Sequence, residues 1–121
     1  MSETEIWGFR PTSGHLAGSD LVGFQVEATD GHIGKIDRHS DEAAASYLVV
    51  DTGPWIFGHL VLLPAGTVVR IDHQEQRVYV DRTKAEIKDG PRFLPEELVT
   101  EPDIRDRYSL YYGPFYGPPN R

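Results

Sequence analysis

The sequence predicts a mainly β fold, a small six-stranded antiparallel β-barrel carrying short C-terminal helices. Three observations predict it. Two apolar runs, Tyr47–Val50 and Leu60–Leu63, are each four residues long, rich in Val, Leu and Tyr, and bounded by turn residues. Runs this short are strands rather than helices. Four further strand-like segments recur at spacings of about ten residues with turn chemistry between them, the pattern of a small barrel or sandwich. At 121 residues, with 39% hydrophobic and 26% charged side chains, the chain suits a single domain around one core.

The elements follow in order. Residues 1–20 read as a mobile N-terminal extension, interrupted by Gly8, Pro11, Gly14 and Gly18; Trp7 and Phe9 are the side chains that can pin it to a surface. In Leu21–Ala28, Val22, Phe24 and Val26 alternate with Gly23, Gln25 and Glu27, a strand with one wet face. Asp30-Gly31 supplies the hairpin turn. The partner strand, His32–His39, carries Ile33 and Ile36 three residues apart, and a bulge near Gly34 is needed to bring both to the core. The polar connector Ser40–Ser46 leads to the third strand at Tyr47, and the fourth ends at Pro64. Ala65-Gly66 then turns the chain into Thr67–Asp72, and His73–Gln76 turns it into Arg77–Arg82. Residues 21–82 are thus the barrel-like domain, and 83–121 a helical, aromatic-rich C-terminal extension.

In that extension Thr83 and Glu86 have the spacing of a capping box, and Gly90-Pro91 limits the helix to two turns. Thr100 is placed to cap a second helix running to about Tyr112, with Pro102 and Asp103 suited to its first turn. Ile104, Tyr108, Tyr111 and Tyr112 share one face of it.

Composition limits the function classes. With no cysteine, disulfides, zinc-thiolate sites, iron–sulfur clusters and a Cys nucleophile are excluded. The net charge of −7 is concentrated in residues 1–60, where three basic side chains face nine acidic ones. An acidic chain without a basic run is poorly suited to nucleic acid or to an anionic membrane surface. The start, Met1–Trp7, lacks the basic and apolar regions of a signal peptide, so the expected location is cytoplasmic.

The chemistry-bearing groups are sparse. Asp30, Gly31, Gly34 and Lys35 do not meet the Walker spacing, and Ile36 follows the lysine where Ser or Thr is required. Asp37, His39, Asp41 and Glu42 gather oxygen and imidazole groups within six residues, but no motif fixes a coordination geometry, so they read as solvated surface and no metal is assigned. A His–carboxylate catalytic pair, such as His59 with Asp51, requires proximity in space that sequence spacing does not supply. No Ser lies in a Gly-x-Ser-x-Gly setting. The expectation is a non-enzymatic protein without cofactors; the alternatives are a small metal-dependent or hydrolytic enzyme and a ribosome- or RNA-associated factor.

Leu21–Phe24, Asp30–Asp37, Tyr47–Gly53 and Gly58–Pro64 together resemble the PRC-barrel family, with Val78–Asp81, Thr83 and Lys84 resembling the continuation in its stand-alone bacterial members. That family is named for the cytoplasmic domain of the photosynthetic reaction-centre H subunit and includes the C-terminal domain of the ribosome maturation factor RimM. The resemblance spans about residues 20–82. It implies a six-stranded barrel that works as a docking and assembly module with no active site. The chain carries neither the transmembrane helix of the first protein nor the N-terminal domain of the second, so the expectation is confined to the module.

Two aromatic groups are the candidates for partner binding. Trp55, Ile56 and Phe57 follow Pro54 in a connector where polar residues are the rule; they either plug a barrel end or form an exposed anchor. Tyr111, Tyr112, Phe115 and Tyr116, with Tyr108, crowd into nine residues, and serve either to pack the helix across the barrel or to insert into a partner or a second copy. The partner expected is another protein or the chain itself.

Overall fold

The computed structural model describes residues 6–42, 45–53, 60–94 and 101–116. Six strands form one sheet: β1 (Gln25–Ala28), β2 (Gly31–Glu42), β3 (Ala45–Asp51), β4 (Leu60–Pro64), β5 (Val68–Asp72) and β6 (Arg77–Val80). Their spatial order is β4-β3-β2-β1-β6-β5. The fold is mainly β with six strands, but the expected antiparallel barrel is corrected in two respects. The sheet is mixed, and it is not closed.

Both corrections have one cause. β1 to β4 form an antiparallel meander. Ala65-Gly66, expected to reverse the chain, instead lies in a 3-10 corner, Ala65–Thr67, held by the Thr67 hydroxyl donating to the Pro64 carbonyl at 2.9 Å. The chain passes through this corner without reversing in the sheet's own frame. The β5–β6 hairpin therefore arrives one reversal out of phase, and β6 pairs with β1 in parallel, Val78 opposite Val26. Closing the sheet would require β4 and β5 to pair as parallel neighbours, which needs a crossover of a dozen or more residues. Three residues cannot provide it, and no ladder joins the two strands among the described residues. The sheet is nevertheless curled. Laid flat, six strands would separate β4 from β5 by about 24 Å, whereas the four Cα steps from Pro64 to Val68 reach at most about 15 Å.

The seam left between β4 and β5 is covered by the N-terminal segment. Residues 6–20, expected to be mobile, are packed as a strap. The Gly66 N–H donates to the Ile6 carbonyl at 2.8 Å, the Ser46 N–H to the Trp7 carbonyl at 2.8 Å, and the Ile71 N–H, on the β5 edge, to the Ser13 carbonyl at 2.7 Å. Trp7 is only 4% exposed and belongs to the same core cluster as Leu48, Val50, Leu62 and Val78. Backbone donors on an edge that would otherwise be open are thus satisfied within the chain. On the other edge, Leu60 of β4 bridges to Phe93.

The predicted bulge on β2 is present. Val26 faces Gly34 and Glu27 faces His32, leaving Ile33 as the extra residue, so Ile33 and Ile36 are both buried. Gly34 is required there, because a Cβ would collide with the Asp51 carbonyl oxygen and lie 2.9 Å from its carbonyl carbon. The run before β1 departs from simple alternation. A turn closed by the Phe24 N–H and the Leu21 carbonyl, with Gly23 at φ 89°, buries Leu21 and Phe24 and leaves Val22 exposed.

The C-terminal region adds α1 (Lys84–Lys88) and α2 (Pro102–Tyr112), followed by a 3-10 turn, Gly113–Tyr116. The capping box on α1 forms as expected, with Thr83 and Glu86 satisfying each other's backbone N–H groups. Thr100 lies outside the described residues; Glu101 occupies the N-cap of α2 without a side-chain bond, and Pro102 opens the helix. Ile104, Tyr108 and Tyr112, spaced by four, are buried against the sheet.

The corner is the sensitive point. A Cβ on Gly66 would lie 2.7 Å from the Ile6 Cα and 3.0 Å from its carbonyl oxygen, both backbone atoms. Gly66→Ala is expected to lower stability by about 1–3 kcal/mol, the usual cost of overpacking. Urea denaturation measures this, and hydrogen exchange should show the Ser46 and Gly66 amides losing protection before those of Leu48 and Val50 in the middle of β3.

Candidate functional site

The described part of the first aromatic candidate is its anchorage. The β3–β4 ladder ends at the pair Asp51–Leu60. Asp51 Oδ1 accepts the Gly53 N–H at 2.9 Å, forming a tight polar turn just after the strand. Trp55, Ile56 and Phe57, as well as His59, lie outside the described residues. Both ends of their connector are therefore held at one end of the hairpin. At this end Leu60 bridges to buried Phe93, the Arg38 guanidinium sits 5.9 Å over the Phe93 ring, and Leu94 is exposed. Beside it lies an open recess of about 470 Å³, lined by His32, Gly34, Lys35, Thr52, Gly53 and Lys84 among others.

The second candidate group is committed to its own chain. Tyr112, one of the candidates for partner contact, is 1% exposed and faces the core of its own chain. Its ring meets Tyr111 edge-on at 4.9 Å, and Tyr111 in turn meets Phe115 at 5.5 Å. Tyr111 and Tyr116, both partly buried, have hydroxyls bonded within the fold. Tyr111 donates to the Glu86 carbonyl at 2.5 Å, and Tyr116 donates to Asp81 Oδ1 at 2.7 Å. Phe115, also partly buried, lies beneath the Arg82 guanidinium at 4.4 Å.

Asp81 is the junction of strap, sheet and tail, which no sequence signal singled out. Besides Tyr116 it accepts from Arg10 Nη2 on the strap at 2.5 Å and from Arg82 Nε at 3.3 Å. Arg10 also donates to the Gly66 carbonyl at 2.8 Å, tying the strap to the corner. Trp7 makes a second tie, its Nε1 donating to Ser109 Oγ of α2 at 2.9 Å with Arg105 stacked 5.2 Å from its ring. Trp7 was visible as the large apolar residue in a polar lead-in; Arg10 and Asp81 are ordinary charges in the sequence, 71 residues apart.

The acidic–histidine set is pulled apart by the strand pleat. Asp37 is the extra residue of a second bulge on β2, between the pairs Ile36–Val50 and Arg38–Val49, and contacts Arg38 Nε at 3.2 Å. His39 and Asp41 share the face that meets the strap, while Glu42 points to the other. His39 Nε2 accepts the Leu21 N–H at 3.1 Å, and Asp41 Oδ2 accepts the Gly18 N–H at 3.0 Å. Among the described residues no three His, Asp or Glu side chains converge as a metal site. Nor do the described residues include a helix long and apolar enough to cross a membrane.

No family model matches the chain, and no curated protein matches its sequence.

Burial, reinforced by Asp81, pushes the Tyr116 phenol well above the ordinary tyrosine value, and burial also raises Tyr112. The folded state therefore retains protons that the unfolded chain loses near pH 10, and stability is expected to fall as pH rises above about 10. Alkaline titration read at the tyrosinate absorbance should show these phenols ionising together with unfolding. Tyr116→Phe removes a hydrogen bond to a carboxylate and is expected to cost about 1–2 kcal/mol at neutral pH; a shift in the denaturation midpoint checks it.

Proposed function

We propose that this chain is a protein-docking module of PRC-barrel type, and that it docks through the Trp55-Ile56-Phe57 connector. One observation carries the reading: the β3–β4 ladder stops at Asp51–Leu60 and passes the chain to a connector with three large apolar side chains where turn residues are the rule. Aromatic anchors presented from a rigid scaffold are the side chains that dominate protein interfaces. The exposed Leu94 and the Arg38–Phe93 stack at the same end of the hairpin supply an apolar and cationic rim. The six-stranded sheet is mixed and unclosed, so the PRC-barrel reading rests on the resemblance of residues 20–82 and not on closure of the sheet. Tyr111, Phe115 and Tyr116 support the module from within rather than serve as its docking face.

The test is affinity capture from the native host's lysate, with wild type beside the Trp55→Ala/Phe57→Ala double variant and circular dichroism on both. A specific protein retained by wild type and lost, by about tenfold or more, from a folded double variant supports the docking face. Equal capture by both would remove the connector from the interface. If only the bait is recovered, light scattering decides whether the same variant abolishes self-association.

A further inference from the structure

The first residues of β2 have a strand on one side only. β3 leaves the sheet at Asp51, opposite Lys35, so Gly31, His32 and Gly34 pair with β1 and face no strand on their other side among the described residues. The ladder shows which backbone groups this leaves open. The Gln25 N–H donates to the Gln76 carbonyl, so Gln25 and, two residues on, Glu27 direct their backbone groups toward β6. Glu27 opposite His32 is therefore a non-hydrogen-bonded pair, and the His32 N–H and C=O are turned away from β1, to the open edge. The recess of about 470 Å³ lies along this edge, and lysines stand at its two ends. Lys84 lies over Gly31, its Cδ and Nζ 3.4 and 3.7 Å from where a Cβ would stand, and Lys35 borders the point where β3 departs. The carboxylates nearby each hold a donor of this chain: Asp51 the Gly53 N–H, Asp30 the Lys84 N–H, and Glu27 both His32 and Arg77. Lys35 enters no ion pair among the described residues.

We propose that this edge takes a short acidic segment of a partner protein by strand addition. The segment occupies the place that β3 vacates, exchanges backbone hydrogen bonds with His32, and sets its carboxylates against Lys35 and Lys84. The open stretch, Gly31–Gly34, spans roughly 13 Å, so it seats about four extended residues. Backbone pairing supplies the attachment, and the two lysines choose the side chains. Charge complementarity identifies the occupant. The chain carries a net charge of −7, with only three basic side chains in residues 1–60, yet two of those three, Lys35 and Arg38, stand at this end of the hairpin. A second copy of the same edge would bring lysine against lysine, the arrangement that keeps sheet edges from pairing with themselves. An acidic strand meets the opposite charge instead. The inference rests on the reading of this chain as a docking module for the class of its partner, but on neither Trp55 nor Phe57.

Titration of the full chain with an acetylated, amidated Glu-Val-Glu-Val-Glu peptide, followed by amide nuclear magnetic resonance, tests this beside the uncharged Gln-Val-Gln-Val-Gln peptide. The expected result is saturable shifts at His32, Ile33 and Gly34 with a Kd of about 1 mM or tighter, and slower hydrogen exchange of the His32 amide. The Gln peptide should bind about tenfold more weakly, and so should the Glu peptide to Lys35→Glu/Lys84→Glu, the loss expected from two exposed ion pairs. Should that double variant not fold, Lys35→Gln takes its place, with about a threefold loss. No saturable shift at this edge, equal affinity for the two peptides, or an unchanged His32 amide overturns the proposal. The Trp55→Ala/Phe57→Ala variant should bind the Glu peptide as wild type does, so failure of the edge and failure of the connector are read separately. Loss of binding in that variant, when folded, would place the peptide on the connector and refute the edge site.

Discussion

The structure depends on the three-residue corner at Ala65–Thr67. Because it carries the chain from one sheet edge to the other without a reversal, it forces the sheet to curl, makes β6 parallel to β1 and forbids β4 and β5 from pairing. Each consequence then demands another. A curled, unclosed sheet exposes backbone donors at its seam, and the strap supplies carbonyls to Ser46, Gly66 and Ile71. The strap can approach so closely only because residue 66 lacks a Cβ. A glycine in a turn and an apolar pair at the start of the chain, 60 residues apart, are therefore parts of one device.

Magnitudes rank the forces that hold strap and tail. Arg10–Asp81 and its neighbours are partly solvated, and such pairs contribute about a kcal/mol or less each. Burying Ile6 and Trp7 contributes roughly 1.5–3 kcal/mol or more per side chain. Apolar burial therefore fixes the strap, and the charges set its register. Between these anchors Leu16, Ala17 and Gly18 are exposed and the Gly18 N–H is held by Asp41, while Leu21, whose N–H meets His39, is buried again in the core.

Local signals were legible in the sequence. The six strands, the Gly34 bulge, the Thr83–Glu86 capping box and the α2 face of Ile104, Tyr108 and Tyr112 follow from period, turn chemistry and spacing. The long-range choices were not. Ala65-Gly66 fits a reversing turn as well as a corner, and only the pairing of β6 with β1 distinguishes them. The strap looked like a tail because its glycines and prolines exclude regular structure, yet a segment can dock by backbone carbonyls and one buried indole without any period. For the candidate site, the residue types of the Tyr-rich tail were evident, but a stripe of aromatics reads the same whether it faces its own sheet or another chain.

Energetics separates those two uses of the aromatics. Drawing the tail out to meet a partner would expose Ile104, Tyr108 and Tyr112, each worth roughly 1.5–3 kcal/mol of burial or more. It would also break the Tyr111 bond to the Glu86 carbonyl and the Tyr116 bond to Asp81. The total approaches the 5–15 kcal/mol that typically separates a folded domain from its unfolded chain. Releasing the tail is thus close to unfolding the protein, and an interface built on it would have to return all of that energy before gaining any affinity. The β3–β4 ladder, which ends at the pair Asp51–Leu60, draws on none of these bonds. The aromatic rings of the tail are therefore structural, and the polar bonds of Tyr111 and Tyr116 that accompany their burial are what make them so.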